Sequence, residues 1–209
     1  MNNMNILNIG CGNKKMDGAI NIDIYKFDSV DFVFDCNNKI WPWETNSIDG
    51  IYASHVIEHI EDHKSFILEC HRILKRGGFL YLRVPHSSSA SAIGCIGHFR
   101  TYSYNTMKDY LSRDFYLFGN KKFNTVEQRL NWWYEDSDNM VMSIFSKILN
   151  PIVNICPELC ENLWCYWVGG CKEVTSGCEI VHCYNIFWIT ILYFQQISKL
   201  PVVCFPVGN

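Results

Sequence analysis

The sequence contains no apolar run long enough to cross a bilayer. The longest, Ile186-Phe187-Trp188-Ile189-Thr190-Ile191-Leu192-Tyr193-Phe194, is far shorter than the roughly 20 residues a spanning helix needs. Its opening, Met1-Asn2-Asn3-Met4-Asn5, lacks a basic stretch followed by an apolar one, so no secretory signal is expected. Charge is sparse. With 19% charged residues and a net charge of −3, no basic excess makes nucleic acid an obligatory partner. There is no internal repeat and no low-complexity linker. At 48% hydrophobic residues over 209 positions, disorder is excluded as the main state and a sizeable core is expected.

Cysteine, by contrast, is abundant. There are eleven, and without export they are expected to stay reduced in a cytoplasmic compartment. Seven crowd the last 54 residues. Cys156-x3-Cys160-x4-Cys165-x5-Cys171 lacks the C-x-x-C pair of structural zinc sites. Buried packing of small side chains is therefore expected there, and no metal site.

Short apolar runs alternate with polar turns over the first part of the chain. Strands are expected at Met4–Ile9, Ala19–Ile24, Val30–Phe34, Gly50–Ser54 and Phe79–Val84. Lys64–Lys75 places Phe66, Ile67, Cys70, Ile73 and Leu74 on one helical face, and Arg76-Gly77-Gly78 should end that helix. Strands interleaved with crossovers, several nearly all apolar, predict an α/β fold with a doubly wound, mostly parallel sheet. Any ligand site should then lie at the strands' C-terminal ends. Beyond residue 86 the reading is a small-residue loop, a helix at Asn105–Leu111, strands at Phe115–Phe118 and Thr125–Trp133, and a helix at Met140–Leu149 stopped by Pro151. The aromatic tail Phe187–Phe194 reads as a last sheet strand, the usual state of such a run, or else as an oligomer contact or a membrane-surface anchor. A core over 1–135 is expected, with a divergent Cys- and aromatic-rich part over 136–209 packed on the same domain.

The first strand runs into Gly10-Cys11-Gly12, and the second ends in Asp23. Glycines let a backbone approach a ligand closely, and a carboxylate there can accept hydrogen bonds from two ribose hydroxyls. Asp23 follows Gly12 by only 11 residues, and Lys15 stands where a third glycine would be expected. That spacing disfavours a dinucleotide, and with it a nicotinamide oxidoreductase, and suits a nucleoside ligand without a pyrophosphate.

His55-Val56-Ile57-Glu58-His59 spells H-x-x-E-H, a metalloprotease pattern, and His63 continues the spacing. Zinc hydrolysis needs both histidines on one helical turn. Since Gly50–Ser54 reads as a strand, His55 falls at a strand-to-helix turn, and His59 and His63 read as a partly solvated helix face. His98 and Arg100 follow the small-residue loop. His98 is a candidate general base toward an acceptor hydroxyl or amine, or else a helix cap, and Arg100 is a candidate clamp for an anionic substrate group.

Four segments together resemble the class I S-adenosylmethionine-dependent methyltransferases, in particular their type-11-like group. They are Leu7–Asp23 with its glycine turn, Phe34-Asp35-Cys36-Asn37 with Trp41-Pro42-Trp43, Ser47–Ile60, and Arg72–Leu80. The likeness weakens past residue 110, with a faint echo at Asn150-Pro151-Ile152 and Glu158–Glu161. It implies a Rossmann-like fold and S-adenosyl-L-methionine as cofactor. Gly10 and Gly12 would pass its methionine part, Asp23 would hold its ribose and Asp35 would lie near its adenine. Ala53, Ser54 and His55 would line the methyl-transfer side. The group usually carries an acidic residue where Asn8 stands, which removes a charge from the amino-acid end of the ligand. The implied activity is methyl transfer to a small-molecule, sugar-like or lipid-like acceptor. The alternative is a catalytically inactive methyltransferase-like module acting through protein partners.

Overall fold

The computed structural model describes residues 4–112, 123–133, 139–165 and 170–180. Seven strands form one sheet: β1 (Ile6–Ile9), β2 (Ile20–Asp23), β3 (Phe32–Val33), β4 (Ile48–Ser54), β5 (Leu74–Pro85), β6 (Phe123–Asn131) and β7 (Glu173–Ile180). Their order is β3-β2-β1-β4-β5-β7-β6. β1 pairs in parallel with β2 and β4, β2 with β3, and β4 with β5. Only β7 runs against its neighbours, β5 and β6. The strand order reverses between β1 and β4, which opens a crevice at their C-terminal ends. The expected doubly wound sheet is present.

Helix α1 (His63–Ile73) starts where Asp62 accepts hydrogen bonds from the Ser65 N–H at 3.0 Å and the Ser65 hydroxyl at 2.6 Å. It buries Phe66, Ile67, Cys70 and Ile73, the face its spacing predicts. Its end differs from expectation. The chain enters β5 directly at Leu74, and Gly77-Gly78 form an irregularity inside that strand rather than a helix stop. Gly77 has φ +73°, and a Cβ on Gly78 would lie 2.8 Å from the Lys75 carbonyl oxygen. The glycines thus serve a bulge. Trp41 and Trp43 pack with Phe34 and Phe66 beneath this helix. Arg72 ties them down by donating to the carbonyls of Trp41 and Trp43 and to Glu69.

Helices α2 (Ala90–Gly94) and α3 (Tyr104–Ser112) follow β5, with α3 overlapping the expected Asn105–Leu111. Helix α4 (Met140–Val153) runs through Pro151 instead of stopping before it. Side-chain amides explain the extra turn. Asn154 donates to the Leu130 carbonyl at 2.7 Å and accepts its N–H at 2.9 Å, while Asn150 accepts the Trp132 N–H at 2.8 Å. The two asparagines satisfy backbone groups on the free edge of β6, which anchors the end of α4 there. The short α5 (Pro157–Leu159) then leads into a π-helical turn, Cys160–Trp164. Among the described residues no single helix is long and apolar enough to cross a membrane. The expected strands at Phe115–Phe118 and in the Phe187–Phe194 tail lie outside the described residues.

Candidate functional site at the carboxyl ends of β1, β2 and β4

The glycine turn is built by close approach. Gly10 has φ +68°, and a Cβ on it would lie 2.3 Å from Val56 Cγ2, so only glycine fits. The N–H groups of Gly10 and Cys11 both donate to the Ile22 carbonyl, at 2.8 and 3.1 Å. Gly12 has φ +52°, and a Cβ there would meet nothing within 4 Å, so its backbone faces open space. The Ser29 hydroxyl donates to the Gly12 carbonyl and fixes the turn from below.

Asp23 ends β2 beside this turn. Its Oδ2 accepts the Gly12 N–H at 2.9 Å and its Oδ1 the Tyr25 N–H at 3.0 Å. Each oxygen keeps lone-pair capacity, so two neighbouring hydroxyls can still donate to it. Asp35 is half-buried beyond β3 and accepts from the backbone and side-chain N–H groups of Asn37. Ser54 is half-buried at the end of β4. His55 follows at φ +57°, a left-handed conformation uncommon for residues other than glycine. Open glycine backbone, a carboxylate with spare acceptor capacity and the crevice position fit a nucleoside ligand.

Asn8 is buried in β1 and donates to the Asn21 side-chain oxygen at 2.8 Å. Asn21 in turn donates to the carbonyls of Met16 and Ala19 and to Asp31. Hydrogen bonds from Asn21 hold the Asp31 carboxyl down to about 2, assisted by Lys15. The amide at position 8 therefore pins the helix-free connection between β1 and β2, a task an acid could not perform.

A cavity of about 660 Å³ opens beyond β4 and β5, lined among others by Lys64, Ile93, His98, Arg100, Tyr102 and Tyr110. The structure thus brings His98 and Arg100 together on one wall. His98 Nδ1 lies 3.2 Å from the Ala92 carbonyl oxygen, and its ring meets that of His59 edge-on at 4.7 Å. His63 departs from the expected solvated face. It is 5% exposed, stacks on Tyr102 and has Nδ1 2.9 Å from the tyrosine oxygen. Burial, aided by Arg100, lowers its pKa and keeps it neutral.

Residues 7–82 match a family model described as a methyltransferase domain. Residues 7–82 thus carry the methyltransferase-domain pattern, over little more than a third of the chain. No curated protein sequence matches the chain. Among solved structures it resembles an S-adenosylmethionine-dependent methyltransferase from Archaeoglobus fulgidus at 14% identity and TM-score 0.55, covering 85% of this chain and 86% of that one. It also resembles a Haloferax volcanii methyltransferase solved with its Trm112 activator, at 14% identity and TM-score 0.53 over 88% and 84% of the two chains. A Bacillus halodurans methyltransferase gives 14% identity and TM-score 0.52 over 87% and 94%. At such identities the structures show a shared fold. The family model over residues 7–82 points to a methyltransferase that takes S-adenosyl-L-methionine as cofactor, and these neighbours share its fold.

Several charged residues around the candidate site carry no sequence signal. Glu173, fully buried in β7, lies 2.7 Å from His55 Nε2 and 2.6 Å from Arg83 Nε. Burial opposes a charge on His55, but Glu173 and Glu58 outweigh it and push its pKa up to about 9. The same carboxylate raises Arg83 further against burial. His86, also buried, lies 3.1 Å from Glu161 Oε1. Glu161 accepts the N–H groups of Tyr104 and Asn105 at the start of α3, where a helix N-terminus favours a negative charge. Burial works against that charge, but His86 and these donors lower the Glu161 pKa on balance.

Two groups of side chains could hold a cation: Glu58, His59 and His98, and Cys160, Cys165 and Cys171, each with ligand atoms within 4.8 Å of one another. The cysteine spacing therefore yields more than the expected buried packing. Cys171 is buried, Cys160 and Cys165 are half-buried and Cys156 is exposed. The π-helical turn lets the Cys165 N–H donate to the Cys160 carbonyl. Residues five apart in an α-helix would point about 140° apart.

Proposed function

We propose that this methyltransferase methylates a small polar acceptor carrying an anionic group, seated in the cavity lined by His98 and Arg100. The observation that carries this reading is the cavity itself. Its volume of about 660 Å³ is in the range of small-molecule sites, roughly 300–1,000 Å³, and its lining, which pairs Glu61 and Asp62 with Lys64 and Arg100, offers the Arg100 guanidinium to an anionic group. When bound, the cofactor supplies an electrophilic methyl group. Gly10 and Gly12 would pass its methionine part, Asp23 would accept its ribose hydroxyls, and Asp35, Ser54 and His55 would line its remaining sides. His98 holds its Nδ1 proton toward the Ala92 carbonyl, which leaves Nε2 to accept the acceptor's proton. Arg100 would orient the anionic group. The protein's main contribution is then proximity and orientation. We read 1–135 and 136–209 as one folding unit and the location as cytoplasmic, in keeping with described cysteines that are all unpaired.

Calorimetric titration with S-adenosylhomocysteine tests the reading. Wild type should bind, and Asp23→Ala should weaken binding by about 1.5–3 kcal/mol, the scale of charge-assisted hydrogen bonds. Folded wild type that binds neither cofactor nor product would instead mark a non-catalytic partner module.

A further inference from the structure

Glu58 sits in the short 3-10 turn after β4 with 1% of its surface exposed. Neither of its oxygens has a hydrogen-bond partner. Its nearest charged neighbour is His55 Nδ1, 3.3 Å from Oε1 and outside hydrogen-bonding geometry. The His55 imidazolium, which Glu173 shares, is its counter-charge, and both Glu58 oxygens keep unused acceptor capacity in a buried place where polar groups are ordinarily satisfied. Two imidazoles converge on it: the ligand atoms of Glu58, His59 and His98 lie within 4.8 Å of one another.

Both rings are already oriented from behind. His59 Nδ1 lies 2.9 Å from the Gly97 carbonyl oxygen, and His98 Nδ1 lies 3.2 Å from that of Ala92. A carbonyl only accepts, so in the neutral ring each Nδ1 carries the proton and each Nε2 keeps its lone pair. Backing by a carbonyl on the far nitrogen is how metal-binding histidines are usually held. The H-x-x-E-H spacing contributes Glu58 and His59, and the third ligand arrives from His98 on a distant loop rather than from His63, which is bonded to Tyr102.

We propose that Glu58, His59 and His98 bind a divalent first-row transition-metal cation whose open positions take an oxygen of the methyl acceptor. Two imidazoles and one carboxylate favour zinc, manganese, iron or cobalt over magnesium or calcium. Three protein ligands leave at least one position free, and His98 also lines the acceptor cavity. The inference rests on the methyl-transfer reading and refines it. A coordinated hydroxyl loses its proton to water more readily, so the cation replaces His98 as the group that activates the acceptor. The oxygen–methyl bond then forms as the methyl–sulfur bond breaks, and the electron pair stays on sulfur in a neutral thioether.

The test is Co²⁺ titration of the full chain, followed by visible absorption and calorimetry, with S-adenosylhomocysteine binding measured on the same samples. One Co²⁺ per chain should bind with d–d bands and be displaced by Zn²⁺. Glu58→Gln and His98→Ala should each weaken it by about 100-fold or more, beyond the 10–100-fold typical of lost outer-shell partners, and leave S-adenosylhomocysteine binding intact. Should Glu58→Gln fail to fold, His98→Ala on its exposed loop still decides the matter. Absence of stoichiometric Co²⁺ binding, or binding indifferent to both substitutions, overturns the cation site even where S-adenosylhomocysteine binds. Co²⁺ binding in a chain that takes no S-adenosylhomocysteine would uphold the cation and overturn methyl transfer.

Discussion

Glu173→Gln removes one charge and almost no volume. Its two partners, His55 and Arg83, are held by the carboxylate at 2.7 and 2.6 Å. Breaking a buried pair from one side typically costs about 3–5 kcal/mol because the other charge is left unpaired. The glutamine oxygen can still accept one bond from Arg83, so about 3 kcal/mol is expected. A pH signature separates this from a generic packing defect. Glu173 and Glu58 push the His55 pKa up to about 9, from an ordinary imidazole value of 6.5. That difference corresponds to about 3 kcal/mol. The His55 side chain is 36% exposed, and solvent screening reduces the figure to about 1–2 kcal/mol.

Because the folded pKa is raised, this stabilisation is fully present below pH 6.5 and fades as the pH rises through 9. Urea unfolding of wild type should therefore lose about 1–2 kcal/mol across that window, and Glu173→Gln should lose much less. The His55 ring proton, followed by NMR in wild type, should titrate near 9. Parallel pH slopes in the two proteins, or a His55 titrating near 6.5, would refute the assignment of the raised pKa to Glu173 and Glu58.

Three further outcomes are expected. Gly10→Ala places a Cβ 2.3 Å from Val56 Cγ2 at φ +68° and should cost about 2–4 kcal/mol from overpacking and left-handed strain; thermal unfolding should show Val56→Ala recovering the packing share. Asn8→Asp restores the acid common in the related group but breaks the bond to Asn21 and buries a charge, so chemical denaturation should show a loss of about 2–3 kcal/mol with no gain in cofactor affinity by calorimetry. Hydrogen bonding from Cys171, together with His86, outweighs burial and lowers the Cys165 pKa, while burial pushes Cys36 and Cys178 up to about 12; timed alkylation with mass spectrometry near pH 7 should modify Cys165 well before those two.

What could be read from sequence follows from how local each cause is. Helix α1 was legible because the periodicity of Phe66, Ile67, Cys70 and Ile73 lies within one stretch, while its Asp62 cap emerged only in the structure. The glycine turn was legible because Gly10, Gly12 and Asp23 lie within one β-turn-β unit. β7 was not legible. It is flanked by strands on both sides, yet it buries Glu173 and Ser176 and carries Gly177 in its interior, the reverse of a buried strand's usual composition. Glu173 is tolerable there only because Arg83 and His55 meet it from 90 and 118 residues away. The left-handed His55 and the pairing of His59 with His98 likewise depend on contacts no spacing encodes. Gly77-Gly78 and Pro151 misled for a related reason, since each marks an irregularity that neighbouring strands absorb.

The chain beyond residue 135 also bears on whether the part that holds the family match can stand alone. β7 covers the edge of β5 along its pairing from Phe79 to Pro85, and β6 pairs with β7 rather than with β5. A chain cut after residue 135 would expose the β5 edge, leave β6 without its partner and strip Arg83 and His55 of Glu173 and His86 of Glu161. Exposed edges invite aggregation, and two buried ionic clusters would each lose a partner, at about 3–5 kcal/mol apiece, a large share of the 5–15 kcal/mol typical of a whole domain. Residues 1–135 should therefore be insoluble or molten when expressed alone and fail to bind S-adenosylhomocysteine, whereas residues 1–180 should fold. A monomeric, cooperatively unfolding 1–135 fragment with wild-type affinity would show that Glu173 and Glu161 only decorate a self-sufficient cofactor domain. The expected failure would mean that the part of the chain outside the family match supplies the charges that hold the ends of β4 and β5.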